Sequence, residues 1–370
     1  MPTYRTLQAA RAVAAVLVVL FHLGGSFASE RYFGIKAFDL PFAWADAGVD
    51  FFFVLSGFII TAMHRRDFGQ GARLLPYLRK RALRIYPTYW MVCLLVLLAA
   101  LAVPSLRHAI ESAPLTALLS LLLVPQDPAV VGGTGATILF VAWSLQYEVL
   151  FYLLFALFIV NRPLGVLAVL LLALNMLGCG LDASGCGFAR SFLASPYMLL
   201  FAVGVGCAYA THPMHSRLRL PGPGWIAALG LAGFFGFGLF ETLAGRSLPP
   251  ERHLVYGLLA GVTVIGLVQA EREGLIVLRS RLLALVGDAS YSLYLLHIPV
   301  ISLACKFLLA AGIDQPALLV PAFALTATLC VVVAVVFYRL VERPVLALLQ
   351  HKPPPAALPV RRAMRRAHLQ

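Results

Sequence analysis

Leu7-Gln8-Ala9-Ala10-Arg11-Ala12-Val13-Ala14-Ala15-Val16-Leu17-Val18-Val19-Leu20-Phe21-His22-Leu23-Gly24 is an apolar run interrupted by one guanidinium and one imidazole. A spanning helix needs about 20 largely apolar residues, fewer where the bilayer thins, so this run is long enough to cross. Nine further stretches qualify: 48–63, 85–103, 138–160, 164–181, 192–209, 225–240, 254–269, 282–303 and 317–338. With 61% hydrophobic and 12% charged residues among 370, the chain is too apolar for a soluble surface. Six cysteines are too sparse for a disulfide-stapled secreted fold, and no polar low-complexity tract signals disorder. The expectation is an all-α polytopic membrane helix bundle of about ten transmembrane helices.

Charge placement sets the topology. Stretch 115–124, between Pro114 and Pro125, is too short to span and reads as an interfacial or re-entrant helix. The net charge of +13 comes from 29 Lys and Arg against 16 acids; in a polytopic chain such an excess records orientation, and no nucleic-acid partner is expected. Ten spans with a cytoplasmic N-terminus put 22 Lys/Arg inside and 7 outside, whereas an eleventh crossing at 115–124 would put 13 inside and 16 outside. Both termini are therefore expected in the cytoplasm. The richest cytoplasmic segments are the one holding Arg65, Arg66, Arg73, Arg79, Lys80, Arg81 and Arg84, and the tail with Arg361, Arg362, Arg365 and Arg366 beyond Pro353-Pro354-Pro355. That tail reads as a solvated segment touching anionic headgroups. The division expected is a membrane domain, 1–345, and a basic cytoplasmic tail, 346–370. Arg5, the first apolar run and Ser26-Phe27-Ala28 imitate a cleavable signal peptide, but Arg11 lies inside the apolar region, and retention is expected.

Ionisable groups inside spans are costly, so each is a functional candidate to be weighed against a packing or anchoring role. Arg11 and His22 are eleven residues apart, within about 20° of one helix face and separated by about 16.5 Å of rise. Arg11 alone reads equally well as a snorkelling anchor, and His22 as a packed histidine. Asp50, in Gly48-Val49-Asp50-Phe51-Phe52-Phe53-Val54-Leu55-Ser56-Gly57, reads as a helix N-cap, with Gly57 at a close-packing position. Arg81 and Arg84 share a helix face just before Ile85-Tyr86-Pro87, where they suit a phosphate approaching from the cytosol or an ordinary basic loop. Ser144, Glu148 and Tyr152 form a polar stripe at i, i+4, i+8, and Glu148 calls for an Arg or His partner from a neighbouring helix. His297 places a second imidazole in the outer half of the ninth span, and Glu342 reads as an offset to neighbouring arginines. His212 and His215 lack thiolate or acidic companions, so no metal site is expected.

Taken in order, these strings resemble the acyltransferase family 3 of membrane O-acyltransferases, especially its exopolysaccharide acetyltransferase branch. The matching pieces are Arg11 with His22, the 48–57 string, Arg81-Ala82-Leu83-Arg84-Ile85-Tyr86-Pro87, Trp143-Ser144-Leu145 with Glu148 and Phe151-Tyr152, 290–297, and Val341-Glu342-Arg343-Pro344. The resemblance implies transfer of an acyl group, typically acetyl, from acyl-CoA to a sugar hydroxyl of a surface or exported polysaccharide or its lipid-linked precursor, at a bacterial cytoplasmic membrane. It implies acyl-CoA as donor substrate, no tightly bound cofactor, and carbohydrate or lipid-linked glycan and membrane lipids as partners. It makes His22 the catalytic residue and assigns donor handling to Arg81 and Arg84. Some relatives carry an added soluble hydrolase-like domain; none is visible here, so the membrane domain is expected to do the chemistry alone.

Acyl transfer from a thioester needs a base near the attacking hydroxyl and donors for the oxyanion. His22 suits the base role, while Glu148 or Asp50 would orient it or hold the sugar; whether His22 is base or acyl carrier is open at this level. Arg11 joins Arg81 and Arg84 on the donor, and Ser144, Tyr152 and His297 are candidate acceptor contacts. The donor phosphates are expected on the arginines, at the cytoplasmic depth, with the pantetheine arm threading the bundle toward His22, Asp50, Glu148 and His297 in the outer half. The rival class is a proton-coupled or lipid-linked-sugar transporter with a relay through His22, Glu148 and His297; a weaker third is a non-catalytic scaffold. Cys179 and Cys186, in the outer loop between spans five and six, are expected to pair, and Cys93, Cys207, Cys305 and Cys330 to stay reduced.

Overall fold

Apolar residues without interruption by Pro or charge favour helix in a bilayer, where every backbone polar group must be bonded within its own segment. The computed structural model describes residues 4–102, 113–180, 186–212, 222–245, 251–276 and 280–350. Among these residues ten helical segments are long and apolar enough to cross a membrane. Their principal helices are α1 (Arg5–Ala28), α2 (Ala47–His64), α3 (Leu74–Ala102), α4 (Trp143–Val160), α5 (Arg162–Cys179), α6 (Tyr197–Ala210), α7 (Pro223–Leu243), α8 (Arg252–Arg272), α9 (Ser290–Ala310) and α10 (Pro316–Phe337). No strand occurs among the described residues. Stretch 115–124 forms only the eight-residue helix Pro114–Leu121, far short of a crossing.

Several boundaries differ from expectation, three of them with consequences for the site and the tail. The third helix begins at Leu74, a full three turns before the apolar run, so Arg81 and Arg84 lie within it; Pro87 is accommodated inside it. The ninth span does not start at residue 282, because a separate helix, Arg281–Asp288, ends at Ala289 and α9 starts afresh at Ser290. Beyond α10 the chain passes through a π-helical turn, Tyr338–Glu342, into a last helix, Arg343–Leu349, which straddles residue 345. The basic tail from residue 351 and His215 lie outside the described residues.

α1 is the hub of the bundle, packing on α2, α8, α9 and α10. Its side chains join both apolar cores: Leu7, Ala14, Leu17 and Val18 face the one built on α2, α4, α6 and α8, while Ala12, Ala15, Val19, Leu23 and Phe27 face the one shared with α9 and α10. The α2–α6 crossing is set by glycine. A Cβ on Gly57 would run into the carbonyl of Phe201, and one on Gly204 into that of Val54, so each helix seats its backbone in a notch of the other. The close-packing role expected of Gly57 is met here. α5 is peripheral, with Leu167, Leu170, Leu171, Leu174 and Leu177 all exposed, the surface a lipid-facing helix needs. Its last residue, Cys179, forms the expected disulfide with Cys186, and the other four cysteines are free and buried.

Candidate active site

Three arginines from two helices converge on one cavity of about 200 Å³. Arg11 of α1 reaches it by crossing to α9, donating to Oγ of Ser290 (2.8 Å) and to Oε1 of Gln8 (3.2 Å). The restart of α9 at Ser290 places that hydroxyl. From α3 come Arg81 and Arg84, three residues apart and on one face. Arg81 is buried, with its guanidinium over the rings of Tyr77 and Tyr152 (5.8 and 5.7 Å) and Nη2 3.2 Å from Nε2 of His64. Because a guanidinium only donates, His64 accepts there, and its Nδ1–H is left for Asp67 (2.9 Å). Arg84 lies over the Tyr291 ring (5.2 Å), 3.9 Å from Oε1 of Glu342. The π-helical turn delivers that carboxylate to the interior, where it also accepts from Ser292.

Glu148 lines the same cavity as the arginines, with Ser144 and Tyr152 of its own stripe. It was expected in the outer half beside the imidazoles and paired with Arg or His. Instead its Oε1 accepts from Ser56 of α2 (3.0 Å) and from Tyr152. Two hydroxyls thus satisfy it; it is the one carboxylate lining a cavity with three arginines, of which Arg84 also has Glu342 at 3.9 Å. Arg81 Nε is buried with no hydrogen-bond partner among the described residues. An orphaned buried donor of that kind costs about 1–3 kcal/mol, a deficit that an anionic ligand in the cavity would remove. The donor set, planar and forked, suits phosphate oxygens.

Asp50 is not brought to either group. It sits in the first turn of α2, four residues beyond the position that caps the helix, and that position, Asp46, makes no side-chain cap bond. The N-cap reading is therefore corrected: Asp50 is buried, and both its oxygens lie within hydrogen-bond distance of Nδ1 of His253 (2.9 and 3.2 Å). Next to it, Arg252 bridges Asp46 and Glu241 (2.5 and 2.6 Å), and Tyr256 donates to Glu241 (2.7 Å). This network pins α2, α7 and α8 together.

His22 and His297 form a pair. Nε2 of His297 is 3.1 Å from Nδ1 of His22, which is itself 3.0 Å from the Val18 carbonyl. His297 is fully buried, with Nδ1 3.1 Å from the Leu293 carbonyl. Neither imidazole lines the arginine cavity. Ser144 and Tyr294 line that cavity; their hydroxyls are 2.7 Å apart and both within reach of the Val141 carbonyl (3.2 and 2.9 Å). Val141 itself lines a second cavity of about 660 Å³, with Phe140, Ile138, Leu295, Leu296 and Ile298 among its other walls and no charged side chain. Phe140 is 6.1 Å from His22 and Tyr294 5.9 Å from His297, ring to ring, so the imidazole pair adjoins the wall between the cavities.

Four contributors escaped sequence reasoning: His253, His64, Ser56 and Tyr294. His253 follows an arginine at the mouth of an apolar run, a signal that was readable. Ser56 and Tyr294 are single polar residues whose partners lie on distant helices, and His64, at the end of α2, meets Asp67 three residues on and Arg81 of the next helix.

The chain matches the model of the acyltransferase domain over residues 4–339. It is 34% identical over 309 residues to the exopolysaccharide production protein ExoZ of Rhizobium meliloti (strain 1021), covering 81% of this chain and 89% of that protein. It is 22% identical over 361 residues to the O-acetyltransferase OatA of Staphylococcus aureus (strain NCTC 8325 / PS 47), covering 92% of this chain and 56% of that one. No solved structure matches.

Proposed function

This chain belongs to the acyltransferase domain family, and we propose that it is a multi-pass O-acetyltransferase of a bacterial cytoplasmic membrane, moving acetyl from acetyl-CoA to a sugar hydroxyl of an exported polysaccharide or its lipid-linked precursor. The observation that carries this reading is the cavity that Arg11, Arg81 and Arg84 line with a single carboxylate, next to a wall with an imidazole pair behind it. Phosphates of CoA take the arginines, and the uncharged pantetheine arm leads the thioester toward Ser144 and Tyr294. Only that uncharged end enters the low-dielectric interior, so no phosphate bears the cost of crossing it.

His22 then acts as base. The Val18 carbonyl has no proton to give, so Nδ1 of neutral His22 carries the hydrogen and Nε2 carries the lone pair. The acceptor oxygen bonds to the thioester carbonyl carbon while its proton passes to Nε2; the tetrahedral intermediate collapses with cleavage of the C–S bond, and the sulfur leaves as CoA thiol with the proton returned from Nε2. The hydroxyls of Ser144 and Tyr294, which line the cavity, are the donors for the oxyanion. The transporter alternative is less well supported, because Glu148 is bonded to Ser56 and Tyr152 and makes no hydrogen bond to either imidazole among the described residues.

The test is a proteoliposome with protein in one orientation, acetyl-CoA on the side of the arginine-rich ends and a glycan acceptor on the other. Free CoA thiol and acetylated acceptor should appear together, and His22→Ala should abolish both. Absence of thiol release from wild type with any acceptor of a small panel, or transfer only when both substrates share one side, would overturn the reading.

A further inference from the structure

We propose that His297 is the positioning residue for His22, a neutral second imidazole that fixes which nitrogen of His22 is the base and takes up part of the charge when that base is protonated. The inference rests on the reading of His22 as base and adds to it a role for a group placed near the acceptor by sequence alone.

The tautomers follow from three contacts. The Leu293 carbonyl faces Nδ1 of His297, so that nitrogen must donate, which leaves Nε2 of neutral His297 as an acceptor. The Val18 carbonyl faces Nδ1 of His22, so that nitrogen must donate as well. The two rings meet through these same atoms, Nδ1 of His22 and Nε2 of His297, at 3.1 Å. Among the neutral tautomer combinations only one, hydrogen on Nδ1 of both rings, is compatible with all three contacts, the single Nδ1–H of His22 being shared between the Val18 carbonyl and Nε2 of His297. Every other choice sets two lone pairs or two N–H groups against each other. The helix backbone thus dictates each tautomer separately, and the results agree.

When Nε2 of His22 takes the hydroxyl proton, the ring becomes an imidazolium and its Nδ1–H bond to His297 becomes charge-assisted. His297 then does for His22 what a carboxylate does in a hydrolase triad, without placing a second charge in the bundle. Leu293 closes the far end, since a carbonyl cannot pass a proton on. The pair holds a proton and returns it to the leaving sulfur; it does not conduct one. Burial separates the two rings: neither lines either cavity, but His297 is fully buried while His22 is half-buried, so His22 is the ring with a face open to an acceptor.

The experiment uses the full chain, purified, with His297→Leu and His297→Gln; the glutamine amide places a carbonyl oxygen near where Nε2 stood. His297→Leu should lower kcat by about tenfold to a hundredfold with the KM for acetyl-CoA within about twofold, and His297→Gln should recover most of that loss. A purely structural histidine would move the thermal midpoint and both constants together. Histidine nitrogen NMR of the wild type, with His22 assigned by its loss in His22→Ala, should show Nδ1 protonated and Nε2 bare; this holds even if His297→Leu fails to fold. Wild-type kcat in His297→Leu, no recovery in a folded His297→Gln, or the opposite His22 tautomer overturns the proposal. Turnover surviving in His22→Ala sinks the base reading instead, and is scored apart from the NMR result.

Discussion

Replacing Arg81 with glutamine should separate donor binding from stability. Among the described residues Arg81 is a buried cation with no carboxylate in salt-bridge range: it has two aromatic faces, a histidine nitrogen at 3.2 Å and an Nε with no hydrogen-bond partner. Burying an unpaired charge is costly, so losing it should leave the thermal midpoint unchanged or raise it. Binding is another matter, because a charge-assisted hydrogen bond to phosphate is worth about 1.5–3 kcal/mol, which converts to roughly 10- to 150-fold in the KM for acetyl-CoA. Arg81→Lys should recover little, since a point charge cannot make the forked contact or stack on Tyr77 and Tyr152. The assay is CoA thiol release at varied acetyl-CoA and fixed acceptor, with differential scanning fluorimetry of the same preparations. A KM within twofold of wild type together with a lowered midpoint would refute the reasoning and make Arg81 a topological anchor.

Glu148→Gln keeps the geometry with Ser56 and Tyr152 but removes the charge; we expect kcat/KM to fall about tenfold or more with little change in melting, and unchanged kinetics would remove Glu148 from the site. Gly204→Ala forces a methyl against the Val54 carbonyl, an overpacking cost of about 1–3 kcal/mol, to be seen as a lower midpoint in detergent; an unchanged midpoint would mean that the α2–α6 crossing relaxes freely. Thiol labelling of denatured, unreduced protein should modify Cys93, Cys207, Cys305 and Cys330 and spare Cys179 and Cys186; mass spectrometry of the labelled peptides decides.

How far the chain could be read before folding depended on whether a feature was local. The ten crossings are legible because each is a contiguous apolar run, and the short helix Pro114–Leu121 because two prolines and its length exclude a span. The stripe Ser144, Glu148, Tyr152 is legible because helical spacing alone puts its members on one face, and all three do line one cavity. Partner choice is not local. Whether Glu148 meets Arg11 or Ser56, and Asp50 meets His22 or His253, depends on how helices rotate about their axes, and an apolar helix carries little signal for that rotation. The break at Ala289 was hidden for a related reason: residues 282–303 are apolar on both sides of it, and only packing against α1 shows that one helix has ended and another begun.

The three-oxygen wall of Ser144, Tyr294 and Val141 also bears on the bilayer itself. An enzyme that passes a group between two compartments holds an aqueous or polar cleft on one side and a path to the other, and any continuous opening would let ions run down the gradients the cell maintains. Here the Ser144 and Tyr294 hydroxyls that line the polar cleft are tied to each other and to the Val141 carbonyl, and the cavity that Val141 lines carries no charged side chain. On the proposed reading an acyl group is passed on at this wall, while a hydrated ion would have to shed its water against Phe140, Leu295 and Leu296. If the acyl group passes here as proposed, permeability constrains this site as much as reactivity does: Tyr294 would have to let that group by and still exclude ions.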